Sequence, residues 1–268
     1  MTTKQHTNHI DKMLADEAPG LWPFLAAGYP SIDTTAALLR GFSKLPIRGV
    51  ELGFPFSDPI ADGPVIQRAF SNVLAEGLRV SEVFDMVASV RRDVGFPLVA
   101  MASASIVYRI GVGQFVDRAR SAGFDGLIVP DISLEEAPDL SECADAAGLR
   151  LSMLIAPTTP LDREKRIAQV ASGFLYYVSV QGTTGERHKL PSDLNDHVAE
   201  LREGTGLPVL VGFGISRPEH VRTVCGFADG AIVGSAIVHK ISNLVDAGGG
   251  KEAIVEDVMR FVAELTGA

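Results

Sequence analysis

Three groups of residues in this sequence could take part in chemistry. The first is Glu51, a carboxylate at the end of the apolar run IRGVEL, and the second is the segment SDPIADGP, which carries Asp58 and Asp62. The third is a pair of small-residue turns, GFGIS and GSAIV, that each follow a short apolar run. A desolvated carboxylate at a strand end acquires a raised pKa and can act as an acid or base. Glycine turns that lead into helices can present backbone N–H groups to a phosphate.

Each of these groups also has a purely structural interpretation. A glutamate such as Glu51 at a strand end can be a solvated or ion-paired side chain. Aspartates in Pro- and Gly-rich loops commonly hydrogen-bond their own backbone, and glycines at strand ends usually just make turns. Position alone therefore leaves both interpretations open for all three groups.

The elements that must position these residues follow from hydrophobic patterning. Eight short apolar runs alternate with amphipathic stretches, and they begin at Leu21, Ile47, Pro97, Asp125, Arg150, Phe174, Pro208 and Asp229. This alternation predicts βα units around a parallel sheet. An open doubly wound sheet usually has a GxGxxG turn after its first strand, and AAGYPSID is not one. We therefore predict an α/β fold, a (β/α)8 TIM barrel that forms a single domain over residues 1–268, with all three groups at the C-terminal ends of strands.

Two additions to the basic barrel are expected. The first residues predict an extra N-terminal helix at the bottom of the barrel, and the long segment after the second strand predicts an extra helix before the regular one at 81–94. The pairs Ser133–Glu136 and Ser216–Glu219 have capping-box spacing and predict the starts of two later helices. The long loop after the sixth strand, VQGTTGERHKLPSD, has the length of a binding loop or lid.

Composition excludes several classes of function. The chain has a net charge of −9, whereas binding to duplex DNA or RNA needs a concentrated basic face. It contains neither the apolar core of a signal peptide nor an uncharged apolar run of about 18 residues, so we expect a cytoplasmic protein that does not enter a membrane. Cys143 and Cys225 lie far apart, and the histidines show no ligand-like pairing, so no metal site is expected.

The segment ELGFPFSDPIADGPVIQ is similar, nearly residue for residue, to the signature segment of tryptophan synthase α subunits. WPFLAAGYP, LIAPTTP, YYVSVQGTTG, GFGIS and GSAIV match that family in order and spacing, so the resemblance covers residues from about 10 to 265. It implies a (β/α)8 barrel that cleaves indole-3-glycerol phosphate by a retro-aldol reaction to indole and glyceraldehyde 3-phosphate, within tryptophan biosynthesis.

The resemblance also implies roles for individual residues. Glu51 matches the acid/base carboxylate, and Asp62 matches the carboxylate that faces the indole N–H. The positions that match substrate contacts are Tyr176, Thr184, Gly185, Phe213, Gly214, Gly234 and Ser235. The positions that match a partner interface are Pro55, Phe56 and Asp58. Family members normally form an αββα complex with a β subunit that carries pyridoxal phosphate, so the resemblance implies no cofactor in this chain itself.

The sequence departs from the family pattern in three loops. Ser103 and Ser105 stand where the family often has an aromatic residue and an Asn, Ser133 replaces a Pro, and Thr183 replaces a Val. The departures at Ser103, Ser105 and Ser133 predict weaker activation by a β subunit. Two alternatives remain: a lyase that releases indole without a β partner, and a barrel that has kept its phosphate loops but lost catalysis. The presence of both catalytic carboxylates argues against the second.

Overall fold

The computed structural model describes residues 8–16, 18–59, 62–178, 194–212 and 214–267. Its eight parallel strands form a closed barrel in sequence order. The strands are Gly20–Ala26 (β1), Val50–Gly53 (β2), Leu98–Met101 (β3), Gly126–Ile128 (β4), Arg150–Ile155 (β5), Leu175–Val178 (β6), Val209–Gly212 (β7) and Gly230–Val233 (β8). The predicted (β/α)8 barrel is confirmed, and each predicted run overlaps one strand.

Twelve α-helices lie in the described residues. They are His9–Ala15 (α1), Ile32–Phe42 (α2), Pro64–Ala75 (α3), Val80–Val90 (α4), Ala104–Ile110 (α5), Val112–Ala122 (α6), Ala137–Ala146 (α7), Leu161–Val170 (α8), Leu194–Thr205 (α9), Pro218–Cys225 (α10), Ser235–Asp246 (α11) and Lys251–Thr266 (α12). Helices α1 and α3 confirm the two predicted additions, but α5 was not predicted. Only Gly111, at φ +95°, separates α5 from α6, so the sequence pattern merges the two. None of the described helices is long and apolar enough to cross a membrane.

The two predicted capping boxes have different outcomes. Glu136 N–H donates to Ser133 Oγ at 3.2 Å and Ser133 N–H donates to Glu136 Oε2 at 3.4 Å, so the reciprocal bonds of this box form. The helix α7 nevertheless begins three residues later than the box predicts, because Glu136 is its N-cap. The Ser216 prediction was wrong by one residue, because Arg217 is the N-cap of α10. Pro218 takes the first helical position, where its missing N–H leaves no intrahelical bond unmade.

Large side chains inside the barrel pack against glycines on neighbouring strands. A Cβ on Gly49 would overlap the ring of Trp22, and one on Gly230 would approach that ring to 3.0 Å. Phe24, two residues further along β1, packs against Gly53 in the same way. Because each large ring packs against a glycine, the interior of the barrel is filled as far as Phe24. Space remains between Phe24 and the C-terminal ends of the strands.

Helix α1 closes the opposite end of the barrel. Ile10 is fully buried in the same interior cluster as Trp22. The Asn8 side-chain amide donates to the backbone carbonyls of Asp125 at 2.7 Å and Gly148 at 3.0 Å, which fixes the start of the helix. The interior is therefore accessible from the C-terminal ends of the strands.

Replacing Gly49 with Ala should destabilise the protein, since the new methyl group overlaps the buried Trp22 ring. Overpacking of a filled core lowers the free energy of unfolding by about 1–3 kcal/mol. The matched control is Gly95→Ala, because Gly95 is exposed and no atom lies within 4 Å of the position that the added methyl group would take. Urea unfolding measures both variants. Equal stability of the two would contradict this account of the interior.

Candidate functional site

A cavity of about 430 Å³ lies at the C-terminal ends of the strands. Most of its wall is apolar, with side chains from Phe24, Phe54, Phe56, Ile66, Phe70, Met101, Leu154, Ile215 and Ile232. Its polar lining residues are Asp58, Asp62, Ser103, Asp131, Tyr176 and Ser235. An apolar cavity with a few polar groups is the usual form of a small-molecule site.

Glu51 lies on β2 just below this cavity. It pairs in register with Phe24 on β1 and Val99 on β3, and it precedes the cavity residue Gly53 by two positions, so it faces the barrel interior. Its side chain is fully buried, and neither carboxyl oxygen has a hydrogen-bond partner among the described residues. Burial raises the pKa of Glu51 well above its ordinary value, which favours the protonated acid.

Asp62 supplies a second carboxyl group at the cavity wall, immediately before α3. Its backbone is held on both sides: its N–H donates to the Pro59 carbonyl at 3.0 Å, and its carbonyl accepts from Gln67 Nε2 at 2.8 Å. Burial raises the pKa of Asp62 to about 6. Asp62 is therefore mostly an anion at neutral pH, whereas complete burial favours the protonated acid of Glu51, so the two carboxyl groups are suited to different roles.

Tyr176 enters the cavity from β6, on the other side of the barrel. It is buried, and its ring packs so closely on Gly212 that a Cβ there would overlap it. Burial raises the pKa of the phenol well above its ordinary value, and negative charge on Glu51 or Asp62 raises it further. The phenol therefore stays protonated, and it lines the same cavity as Asp62.

The third predicted group also reaches the cavity. Gly214 follows β7 with φ +77°, a conformation that favours glycine, while Gly234 and Ser235 follow β8. Gly234 is the N-cap of α11, and it makes no side-chain capping bond. The first N–H groups of a helix have no intrahelical partners, so this end of α11 can receive an anion from the cavity.

The cavity brings together most, but not all, of the residues predicted from the sequence. Those that line it are Phe56, Asp58, Asp62, Tyr176, Gly214, Gly234 and Ser235, with Glu51 beneath them. Pro55 is buried in the same loop but is not part of the wall, and Thr184, Gly185 and Phe213 lie outside the described residues. No group of three or more His, Cys, Asp or Glu side chains in the described ranges could hold a metal ion.

Sequence reasoning did not identify the apolar wall or one polar pair. Met101, Leu154 and Ile232 face inward near strand ends, and counting in twos along each strand could have found them. In the sequence, Ser103 stands out only as a departure from the family pattern, and no motif marks Asp131 as a site residue. The contact between Ser103 and Asp131 depends on the conformation of the two loops that carry them, and the sequence has no periodic pattern that predicts loop conformation.

Comparison with known proteins gives one consistent result. A family model described as "Tryptophan synthase alpha chain" matches residues 10–267. The tryptophan synthase alpha chain of Rhodopirellula baltica is 45% identical over 240 residues, which cover 88% of this chain and 86% of the relative. That of Prochlorococcus marinus strain NATL2A is 39% identical over 269 residues, covering 100% and 97%. Among solved structures, a chain of the tryptophan synthase α2β2 complex from Pyrococcus furiosus is 37% identical with a TM-score of 0.85, covering 92% of this chain and 98% of that one.

Replacing Glu51 with Gln should reduce the loss of stability that the protein shows as pH rises. Because burial raises the pKa of Glu51, the folded protein binds this proton more tightly than the unfolded chain does. The contribution of the protonated Glu51 to the free energy of unfolding is fully present below the pKa of a glutamate in the unfolded chain, which is about 4.3. That contribution is lost as pH rises towards the pKa of Glu51 in the folded protein. The Gln side chain does not titrate, so the variant does not lose stability in this way.

Thermal unfolding at pH 5 and pH 8 measures the effect. The difference in stability between the Gln variant and the parent should shift in favour of the variant at the higher pH. Glu142→Gln, at an exposed position on α7, is the control and should follow the parent. Identical pH dependence of the Glu51 variant and the parent would show that Glu51 titrates normally.

Proposed function

The chain belongs to the tryptophan synthase α chain family of carbon–carbon lyases, and on that premise we propose that its cavity cleaves indole-3-glycerol phosphate into indole and glyceraldehyde 3-phosphate. The observation that carries this proposal is the buried Glu51 carboxyl, which has no hydrogen-bond partner among the described residues and lies directly below a cavity that Asp62 lines. A buried polar group without a partner is costly, and a substrate that fills the cavity would supply the missing hydrogen bond.

Glu51 has the properties that the bond cleavage requires. Indole C3 must gain a proton, and the hydroxyl on the adjoining glycerol carbon must lose one. The protonated Glu51 acid donates to C3, and the resulting carboxylate then takes the hydroxyl proton as the carbon–carbon bond breaks. The bond's electron pair returns to the indole ring, and the alcohol carbon leaves as an aldehyde. Glu51 ends the cycle protonated, so no cofactor is consumed.

Asp62 and Tyr176 act on the charge that this sequence generates. Protonation of C3 places positive charge partly on the ring nitrogen. Asp62, an anion above pH about 6, stabilises that charge as it develops. Tyr176 keeps its proton because burial raises its pKa, so it serves as a hydrogen-bond donor beside the reacting centre.

The phosphate of the substrate belongs at the turns after β7 and β8. Gly214, Gly234 and Ser235 line that part of the cavity, and the N-terminus of α11 offers N–H groups to an anion. Thr184 and Gly185 are proposed as further phosphate-side contacts on the resemblance alone. Holding the substrate by its unreactive end positions the indole ring over Glu51 without contributing to bond breaking itself.

We also propose a β subunit as partner, with pyridoxal phosphate only in that subunit, and a cytoplasmic location. The solved Pyrococcus furiosus relative is an α2β2 complex, which supports the partner. Support also comes from the rim of the cavity, where Phe56 and Asp58 lie. The helices that follow β3 and β5 carry two large apolar side chains at the surface, Tyr108 (45% exposed) and Leu161 (66% exposed). Large exposed side chains on one rim are typical of an interface.

An assay of indole release, with and without a β subunit from a relative, tests the proposal. Glu51→Gln should lower the rate by about a hundredfold or more, as expected for loss of an acid/base group. In the parent, kcat/KM should rise with pH through about 6 as Asp62 becomes an anion. Asp62→Asn should be slower and lack this rise, whereas Asp139→Asn, an exposed carboxylate outside the cavity, should match the parent.

Three outcomes would contradict parts of the proposal. A Glu51 variant with activity within about threefold of the parent would remove Glu51 from catalysis. A rise through pH 6 that persists in Asp62→Asn would belong to another group, such as the substrate phosphate, whose second pKa is also about 6. Turnover that a β subunit does not change would favour the lyase that acts alone.

A further inference from the structure

Ser103 and Asp131 form a hydrogen-bonded pair in the cavity wall that the proposed reaction does not use. Ser103 Oγ donates to Asp131 Oδ2 at 2.7 Å, and Ala104 N–H donates to Asp131 Oδ1 at 2.7 Å. Ser103 is buried, whereas Asp131 is exposed at the rim. A carboxylate has about four lone-pair positions, so this fixed carboxylate can accept further hydrogen bonds.

The pair lies across the barrel from the proposed phosphate site. Ser103 follows β3 and Asp131 follows β4, while the phosphate turns follow β7 and β8. In a closed barrel of eight strands, β3 and β4 are opposite β7 and β8. A substrate held by its phosphate therefore extends its ring system towards Ser103 and Asp131.

The wall between the two ends is apolar and suits an aromatic ring. Met101 and Leu154 line it, on β3 and β5. In the indole ring system, the edge with carbons 5 and 6 lies farthest from C3, where the glycerol phosphate is attached. That edge is therefore the part of the substrate that faces Asp131 at the rim.

We propose that Asp131 is a specificity-determining residue that accepts a hydrogen bond from a hydroxyl group at position 5 or 6 of the indole ring. This inference rests on the proposed function, and it extends the substrate class to ring-hydroxylated indoles. A methyl group of similar size would displace water from the carboxylate without replacing its hydrogen bond. A hydroxyl group replaces that bond and, at the exposed rim, loses little hydration of its own.

The test uses the reverse reaction, condensation of an indole with glyceraldehyde 3-phosphate. The probes are 5- and 6-hydroxyindole and the size-matched 5- and 6-methylindole. Because hydrogen bonds to charged acceptors are the stronger kind, kcat/KM for the hydroxyl compound should exceed that of its methyl partner by about tenfold at one position. Asp131→Asn should reduce this ratio to below about threefold. Asp139→Asn, which removes a carboxylate outside the cavity, should preserve it.

A second variant covers the case in which Asp131→Asn disturbs the start of α5. Ser103→Ala keeps the carboxylate, which Ala104 N–H still holds, and frees its Oδ2 atom, so the hydroxyl preference should persist. A parent that prefers neither hydroxyl compound, a ratio unchanged in Asp131→Asn, or a preference lost in Ser103→Ala would each overturn the proposal.

Equilibrium binding of 6-hydroxyindole and 6-methylindole, and of the 5-substituted pair, separates this inference from the proposed function. If binding shows an Asp131-dependent hydroxyl preference but no indole is condensed, the proposed reaction fails while the recognition of the hydroxyl group stands. If unsubstituted indole is condensed but no hydroxyl preference is found, only the inference about Asp131 fails.

Discussion

Both carboxyl oxygens of Glu51 lie inside a closed barrel, where no other described side chain or backbone group forms a hydrogen bond with them. Leaving a polar group in this condition destabilises the folded state, and no surface position would impose the same penalty. The same desolvation raises the pKa of Glu51 and favours its carboxylic acid form. The proposed chemistry and the loss of stability therefore have one physical cause.

The rest of the barrel maintains this condition. Trp22 and Phe24 fill the interior against inward-facing glycines, and Ile10 on α1 closes the N-terminal end. Tyr176 covers the inner wall from β6. The polar groups of the cavity then differ in their depth: Glu51 is fully buried, Asp62 is half-buried and anionic at neutral pH, and the turns with Gly214 and Gly234 lie at the strand ends. This gradient of burial suits the proposed roles of the three groups as proton donor, anion and phosphate-binding end of one cavity.

Much of the fold could be predicted from the sequence because its signals are local. Apolar runs bounded by turns indicated all eight strands, while α1 was expected from the first residues of the chain and α3 from the long segment after β2. The prediction failed where one residue decides the outcome: Gly111 divides α5 from α6, and Pro218 moves the start of α10 by one position. Neither effect appears in a pattern averaged over a helical turn.

The site was predictable to a different degree. Glu51 and Asp62 could be proposed from their place at a strand end and in the following loop, but only the resemblance separated catalysis from ordinary turn chemistry. The pKa difference between them depends on burial, which one-dimensional patterns do not specify. The Ser103–Asp131 pair joins residues 28 positions apart through two loops, and its position opposite the turns after β7 and β8 follows only from closure of the barrel.

The protonation state of Glu51 is the most direct test of this account. Glutamate labelled with ¹³C at the side-chain carboxyl carbon allows its titration to be followed by NMR, and the resonance absent from Glu51→Gln identifies the group. The account predicts that Glu51 titrates well above the ordinary glutamate value of about 4.3 in the protein without substrate. A midpoint at or below that value would contradict it, because a carboxylate that is charged throughout the neutral range could not deliver a proton to the substrate.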